Sequence, residues 1–423
     1  MSAVCFYFQV HQPYRVGRFS YFDSCKSDKY FDVDKNAAIA RKVADKCYLP
    51  TNQVMLELID RYEGKFKIAY SISGVALEQF QEYTPEVLYS FQDLVRTGCV
   101  ELIGETYYHS LAAVMNAQEF FDQVKLHTEL LEDLFGVTPR VFRNTELIYD
   151  DYIGGLVSQL GYKGMIAEGC DDILGWRSPN FLYHVAQHPE VKLLLKNYRL
   201  SDDIAFRFSN QGWGEWPLTA DKFASWVHQV SGCGDVVNLF MDYETFGEHQ
   251  WESTGIFEFL RHLPEAVLRH PDWTFMTPIE CVESFPARDQ VNFFRTTSWA
   301  DIDRDLTAWR GNRMQEGALQ RAFGLRDRVV ATGDKLLMHD WRKLLTSDHF
   351  YYMCTKWAAD GDVHAYFSPF DSPYDAFIYF MNAFRAFERK LELHELAQDK
   401  KQSAKASTAV VRDDFQADSA RGL

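Results

Sequence analysis

Between Ala3 and about Pro278, short apolar runs rich in β-formers alternate with longer stretches of amphipathic, helical periodicity. This alternation predicts strand–helix units on a parallel sheet, not a sandwich or a bundle. The runs are Val4–Val10, Lys67–Ile72, Val100–Ile103, Arg140–Arg143, Gly164–Ala167, Val191–Leu195, Val236–Met241 and Trp273–Met276. Seven or eight such strands suit a barrel. The intervening helices carry clear punctuation. Thr84-Pro85 caps and opens one whose apolar stripe is Val87, Leu88, Phe91, Leu94 and Val95, and Gly98 closes it. Asn116 with Glu119, and Thr277-Pro278 with Glu280, read as capping boxes at two further helix starts.

After about residue 290 the strand signal fades and helical stripes cover Arg313–Val330, Lys335–Leu345 and Ser372–Leu396. In the last, Pro373 stands in the first turn and Phe377, Phe380, Met381, Phe384, Phe387 and Leu391 form one face. The pattern therefore predicts an α/β barrel over residues 1–290 and a helical domain packed on it over 291–398. Residues 399–423, a mixture of Lys, Ser, Ala and Asp with little apolar area, are expected to form a disordered tail.

Charge narrows the partners. The chain carries 44 basic and 60 acidic side chains, a net −16, which repels phosphate backbones and acidic lipid when no basic stripe overrides it. Neither nucleic acid nor membrane is expected to bind. The run Ala3–Val10 is too short to span a bilayer and has no cationic leader, so a cytoplasmic location is expected. The eight cysteines are scattered without a CxxC pair and read as reduced core residues. Aromatic residues make up 15% of the chain, and rings exposed in a cleft offer flat faces to sugars. Trp213, Trp216, Trp251, Trp299 and Trp309 are the stacking candidates, with Trp251, close behind Asp242, preferred.

In parallel α/β barrels the chemistry stands at the carboxyl ends of the strands. The strands here end in His11-Gln12-Pro13, Gly104-Glu105-Thr106-Tyr107, Asn144-Thr145-Glu146, Glu168 and Asp242-Tyr243-Glu244. Any one carboxylate there could be a helix cap or an ion-pair partner, but several in register form a ring on one rim. Glu168 and Glu244 read most readily as its structural members. With no phosphate loop, GxSxG or HExxH, the ring points to carboxylate chemistry on a neutral polar substrate, and glycoside cleavage fits best. His184 and His188 enclose Val-Ala-Gln with no glutamate, so they read as a solvated helix or loop rather than a metal site.

These residues resemble the ordered motifs of glycoside hydrolase family 57. The matches are His11-Gln12-Pro13, Gly104-Glu105, Glu146 within Arg143-Asn144-Thr145-Glu146-Leu147, and the long run from Met241 through Asp242-Tyr243-Glu244-Thr245-Phe246-Gly247-Glu248 to His249. Ser347-Asp348-His349-Phe350-Tyr351 resembles the fifth motif more loosely. The resemblance implies an incomplete (β/α)7 TIM-like barrel followed by a C-terminal helical bundle, acting on α-glucans with retention. It implies Glu146 as nucleophile and Asp242 as general acid/base. His11 and Glu105 match positions lining the donor-side sugar pocket, and Asp348 would reach in from the helical domain; Glu244, His249 and Trp251 are further substrate-binding candidates. No metal or other cofactor is implied. The substrate would be an α-glucan or maltooligosaccharide, and the α-amylase group, cleaving α-1,4 bonds, is the first expectation. A 4-α-glucanotransferase or branching enzyme is the alternative, and oligomeric state stays open.

Retaining chemistry sets two carboxyl groups about 5–5.5 Å apart with opposite protonation. Glu146 is expected to stay ionised through hydrogen bonds near Arg143 or Asn144. Asp242 is expected to be raised by Glu146 above all and by apolar neighbours such as Phe246. Two rivals stand beside this reading: a metal-dependent carbohydrate deacetylase or mannosidase using His11 and Asp242 as ligands, and a non-catalytic glucan-binding protein.

Overall fold

The computed structural model describes residues 2–23, 29–356 and 368–419, and within them each of the eight anticipated runs is a strand. They are β1 (Ser2–Val10), β2 (Ile68–Ile72), β3 (Val100–Leu102), β4 (Val141–Arg143), β5 (Gly164–Glu168), β7 (His188–Lys196), β8 (Val236–Asp242) and β9 (Trp273–Phe275). Two more, β6 (Leu182–Val185) and β10 (Ala287–Val291), escape the periodicity because each is short and β10 is largely exposed. One sheet runs β3-β2-β1-β8, all parallel, with β9 beside the start of β1; the other runs β10-β6-β7-β5-β4. The sheets meet twice. Gly104 N–H donates to the Val141 carbonyl (3.0 Å) and Arg143 N–H to that of Gly104 (2.8 Å); at the other junction Asn197 N–H donates to the Asn238 carbonyl (2.9 Å).

Strand parity explains what stands at the rim. Successive side chains alternate faces, and in β1 the odd positions Ala3, Cys5 and Tyr7 enter a small inner core with Ala69, Ile103, Val141, Ile166, Leu194, Val236 and Phe240. The even positions Val4, Phe6, Phe8 and Val10 pack outward against helices. Continuing each inward row to the carboxyl end of its strand reaches Gln9 and His11, Ser71 and Ser73, Glu105, Arg143, Glu168, Lys196 and Asp242. The polar ends of the inward rows therefore form a single layer above an apolar plug.

The helices follow their punctuation. Pro85–Arg96 begins after Thr84, and Gly98 takes φ +73° past its end. Thr277 and Glu280 form a reciprocal capping box, whereas Asn116 receives Glu119 N–H without the return bond. Helices Arg313–Phe323, Arg326–Ala331 and Lys335–Lys343 occupy the predicted helical region. In helix Pro373–Ser419 the residues Phe380, Phe384, Phe387 and Leu391 are buried. That helix runs on through 399–419, part of the stretch assigned by composition to a disordered tail; Ala, Lys and Gln favour helix even without an apolar face. His184 and His188 correct the expectation of a solvated helix or loop. They lie on the antiparallel hairpin β6–β7, where Gln187 turns the chain at φ +62°. No helix among the described residues is long and apolar enough to cross a membrane.

Candidate active site

Glu146 follows β4 in a one-turn helical segment, and both it (φ +56°) and Leu147 (φ +50°) occupy the left-handed region, as does His109 (φ +49°). Non-glycine residues held there store local strain that the surrounding packing must stabilise, a feature of functional sites. Both Glu146 oxygens have donors. His109 Nε2 reaches Oε1 at 3.2 Å and the Trp299 indole N–H donates to Oε2 at 2.7 Å, while the side chain remains 22% exposed.

His109 links Glu146 to the buried interior, its Nδ1 lying 2.9 Å from Glu105 Oε2. Burial opposes its charge, but the hydrogen bonds to Glu105 and Glu146 raise it to about 9, so it is an imidazolium that donates to both carboxylates. Glu105 Oε1 accepts from Ser71 (2.5 Å) and Gln9 (3.3 Å). Burial alone would push Glu105 up; His109, then Arg143, outweigh it and bring it down to about 2. Arg143 is fully buried, 3.9 Å from Glu105 and 5.0 Å from the Trp299 ring centroid, and its guanidinium makes no hydrogen bond among the described residues. It acts as a fixed charge beneath the site.

The two candidate catalytic carboxyls are pushed in opposite directions. For Glu146 burial raises the pKa, but the hydrogen bond and charge of His109, then Arg143, bring it below the usual carboxylate value. For Asp242, at the end of β8, burial first and the Glu146 charge second raise it to about 6. Like charges crowded in a low-dielectric site disfavour double ionisation. The hydrogen bonds expected near Arg143 or Asn144 come instead from His109 and Trp299: Arg143 contributes its charge alone, and Asn144 donates to the Ile148 carbonyl at 2.9 Å.

Asp348 arrives from helix Ser347–Tyr351, anchored by Ser347 N–H donating to the His109 carbonyl at 2.9 Å. Ser73 Oγ accepts from Ala76 N–H and donates to His11 Nδ1 (2.7 Å), leaving the His11 Nε2 proton for Asp348 (3.0 Å). The His11 ring stacks on His109 with centroids 3.9 Å apart, and burial with the His109 charge lowers its pKa. Burial would raise Asp348, but His11 holds it well below the usual range.

Other expected sugar contacts stand elsewhere. Glu105 has no exposed surface to offer a substrate. Glu244 is buried against the Tyr48 hydroxyl and Gln12, and burial with the Asp242 charge raises it to about 8. Tyr48 reaches it from a π-helical turn, Ala44–Tyr48, inside the first long helix. The half-buried His249 ring is lowered to about 4 by desolvation. Gly247, at φ +109°, packs so close to the Lys46 carbonyl that a Cβ would collide with it. Trp251 is 61% exposed in a separate cleft of about 410 Å³ beside Lys46 and Arg261, which none of the rim carboxylates lines. Of the five candidate tryptophans, Trp299 is the one bonded to Glu146, because it returns to the rim from the segment beyond β10. His109 and Lys196 went unnoticed in the sequence, although both share the inward layer or its loop. Lys196 is buried beside Glu168 (3.6 Å) and Asp202 (3.1 Å) and lies 5.5 Å from the Trp299 ring centroid. Among the described residues no three His, Cys, Asp or Glu side chains gather to hold a metal ion.

The family model described as Glycosyl hydrolase family 57 matches residues 5–293. A protein of Methanocaldococcus jannaschii named "Putative alpha-amylase" is 44% identical over 398 residues, covering 91% of this chain and 84% of its own. The family-57-type branching enzyme of Pyrococcus horikoshii superposes with a TM-score of 0.67 at 14% identity, over 95% of this chain and 94% of that one. The 4-α-glucanotransferase of Thermococcus litoralis gives 0.54 at 15% identity, over 84% of this chain and 51% of that one. At these identities the two structures bear on fold alone, an α/β arrangement with parallel sheets and many helices.

Proposed function

The chain belongs to glycosyl hydrolase family 57, and on that premise we propose that it is a retaining enzyme cleaving α-1,4 bonds of α-glucans, with Glu146 as nucleophile and Asp242 as general acid/base. The observation that carries this reading is the opposed environments of the pair, which shift their pKa values in opposite directions. Glu146 is held ionised by two donors, whereas burial and the Glu146 charge push Asp242 toward its protonated form. In the first step a Glu146 oxygen bonds to the anomeric carbon as the glycosidic bond breaks, and Asp242 gives its proton to the leaving oxygen. In the second, Asp242 takes a proton from water, whose oxygen displaces Glu146 from the anomeric carbon.

We read β1, β2, β3, β4, β5, β7 and β8 as the seven staves of an incomplete (β/α)7 barrel over residues 1–290, supported by the bonds at both sheet junctions. Residues 291–398 are the helical domain that supplies Asp348 to the cleft. The relative's name supports the amylase reading, and the buried free thiols support a reducing, cytoplasmic setting.

The test is incubation with amylose and maltooligosaccharides. Shorter chains with new reducing ends are expected; disproportionated lengths would mean transfer and new branch points branching, and no change in any α-glucan overturns the reading. With Asp242 at about 6, kcat/KM falls as pH rises through that value, because the acid loses its proton, and the acid limb lies below 4.5, where Glu146 gains one. A pH–rate profile checks both limbs. Trp299→Phe removes one charge-assisted bond to the nucleophile and lowers kcat about 10–100-fold with little change in KM, measurable by steady-state kinetics.

A further inference from the structure

A second cleft of about 700 Å³ opens at the opposite ends of the strands, where Ser2 starts β1 and Asp235 precedes β8. At about 3.3 Å per residue, the nine residues of β1 separate it from the catalytic rim by roughly 25–30 Å. Its volume falls within the span of ligand sites, about 300–1,000 Å³.

The lining is organised around two aromatic rings, each held by an arginine. Trp176 is 88% exposed, more than any other large apolar side chain among the described residues. Arg177 lies over its ring at 5.2 Å and is pinned in turn by Asp289 through Nε (3.2 Å) and Nη2 (2.9 Å). Arg288 lies 4.7 Å over Phe181 and grips Asp235 through Nε (3.2 Å) and Nη2 (3.0 Å). Phe181 also packs against the core, so that platform is set before anything binds, which reduces the entropy lost on binding; Trp176 stands open to solvent beside it.

The charges identify the occupant's class. Two arginines and two aspartates cancel locally on a chain of net −16, so the cleft selects neither anions nor cations. It presents flat apolar faces beside planar donors and acceptors. That combination suits a neutral polyhydroxylated ring, whose C–H face stacks while its hydroxyls bond to the arginine and aspartate edges. A second copy of this chain fits less well, because two bodies of like charge repel.

We infer that this cleft is a second α-glucan site that holds a chain without cleaving it, both of its carboxylates being tied to arginines. The choice of α-glucan rests on the reading of function above; the cleft itself does not. Affinity electrophoresis of the full chain in gels containing amylose, beside turnover of maltotriose, tests it. Trp176→Ala and Arg288→Ala are expected to weaken retention by amylose about tenfold while maltotriose turnover stays unchanged, and Trp176→Phe is expected to keep most of the retention. Unchanged retention in Trp176→Ala, with turnover intact, overturns the second site and leaves the function standing. A wild type that neither turns over nor is retained by α-glucan overturns both. A change in sedimentation of Trp176→Ala without loss of retention makes the cleft a self-association face and overturns the glucan site.

Discussion

Replacing Glu146 with alanine lowers kcat on α-glucans by about 10⁴-fold or more, and replacing Asp242 with asparagine lowers it by about 10²–10⁴-fold. The difference follows from what each carboxyl supplies. Without Glu146 no covalent intermediate forms, whereas without the Asp242 proton the intermediate still forms from substrates whose leaving group needs no acid. Azide separates the two roles by stereochemistry. In Glu146→Ala it enters where the nucleophile stood and attacks an activated α-glucoside from the β face, giving a β-glucosyl azide. In Asp242→Asn it displaces Glu146 from the intermediate and gives an α-glucosyl azide. The anomeric proton coupling in NMR distinguishes the products, and the same azide anomer from both variants would reject the assignment.

Replacing His109 with alanine destabilises the protein by about 3–5 kcal/mol, because Glu105 is then left buried without its main counter-charge. His109 and Glu105 are both essentially sealed from solvent, so water cannot replace the lost partner. The pH dependence of stability carries the sign. Glu105 sits at about 2 against an ordinary 4.5, so its contribution is present above 4.5 and is lost as pH falls toward 2. His109 sits at about 9 against 6.5, so its contribution is full below 6.5 and is lost as pH rises through 9. Equilibrium denaturation across pH should show the wild type losing stability between 6.5 and 9, and His109→Gln lacking that decline. The same variant moves the acid limb of kcat/KM upward, since Glu146 loses the cation that holds it ionised, while the basic limb stays with Asp242. A variant that lost stability without moving the acid limb would reduce His109 to a structural brace.

Much of this was legible along the chain. Hydrophobic periodicity located eight strands, most readily those that bury both faces and so read as a nearly continuous apolar run, as in Val4–Val10. The polar residue after each run named Glu105, Glu146 and Asp242, since a strand's carboxyl end is where an inward row leaves the apolar plug. The hairpin at His184–His188 was missed because β6, four residues long, is too short for periodicity to register beside the anticipated core of β7.

The division between sequence and tertiary structure is physical. Local chemistry along the chain determined which residues are strands and helices, and which carboxyls lie at strand ends, because those depend on spacing and side-chain type within a few positions. Which of those carboxyls is charged depends on contacts across 37 to 153 residues of chain, His109 and Trp299 on Glu146 among them. Only the folded molecule could turn Glu105 from a sugar contact into a buried anchor and set Trp251 apart from the rim, because electrostatic strength follows distance and burial in space rather than separation in sequence.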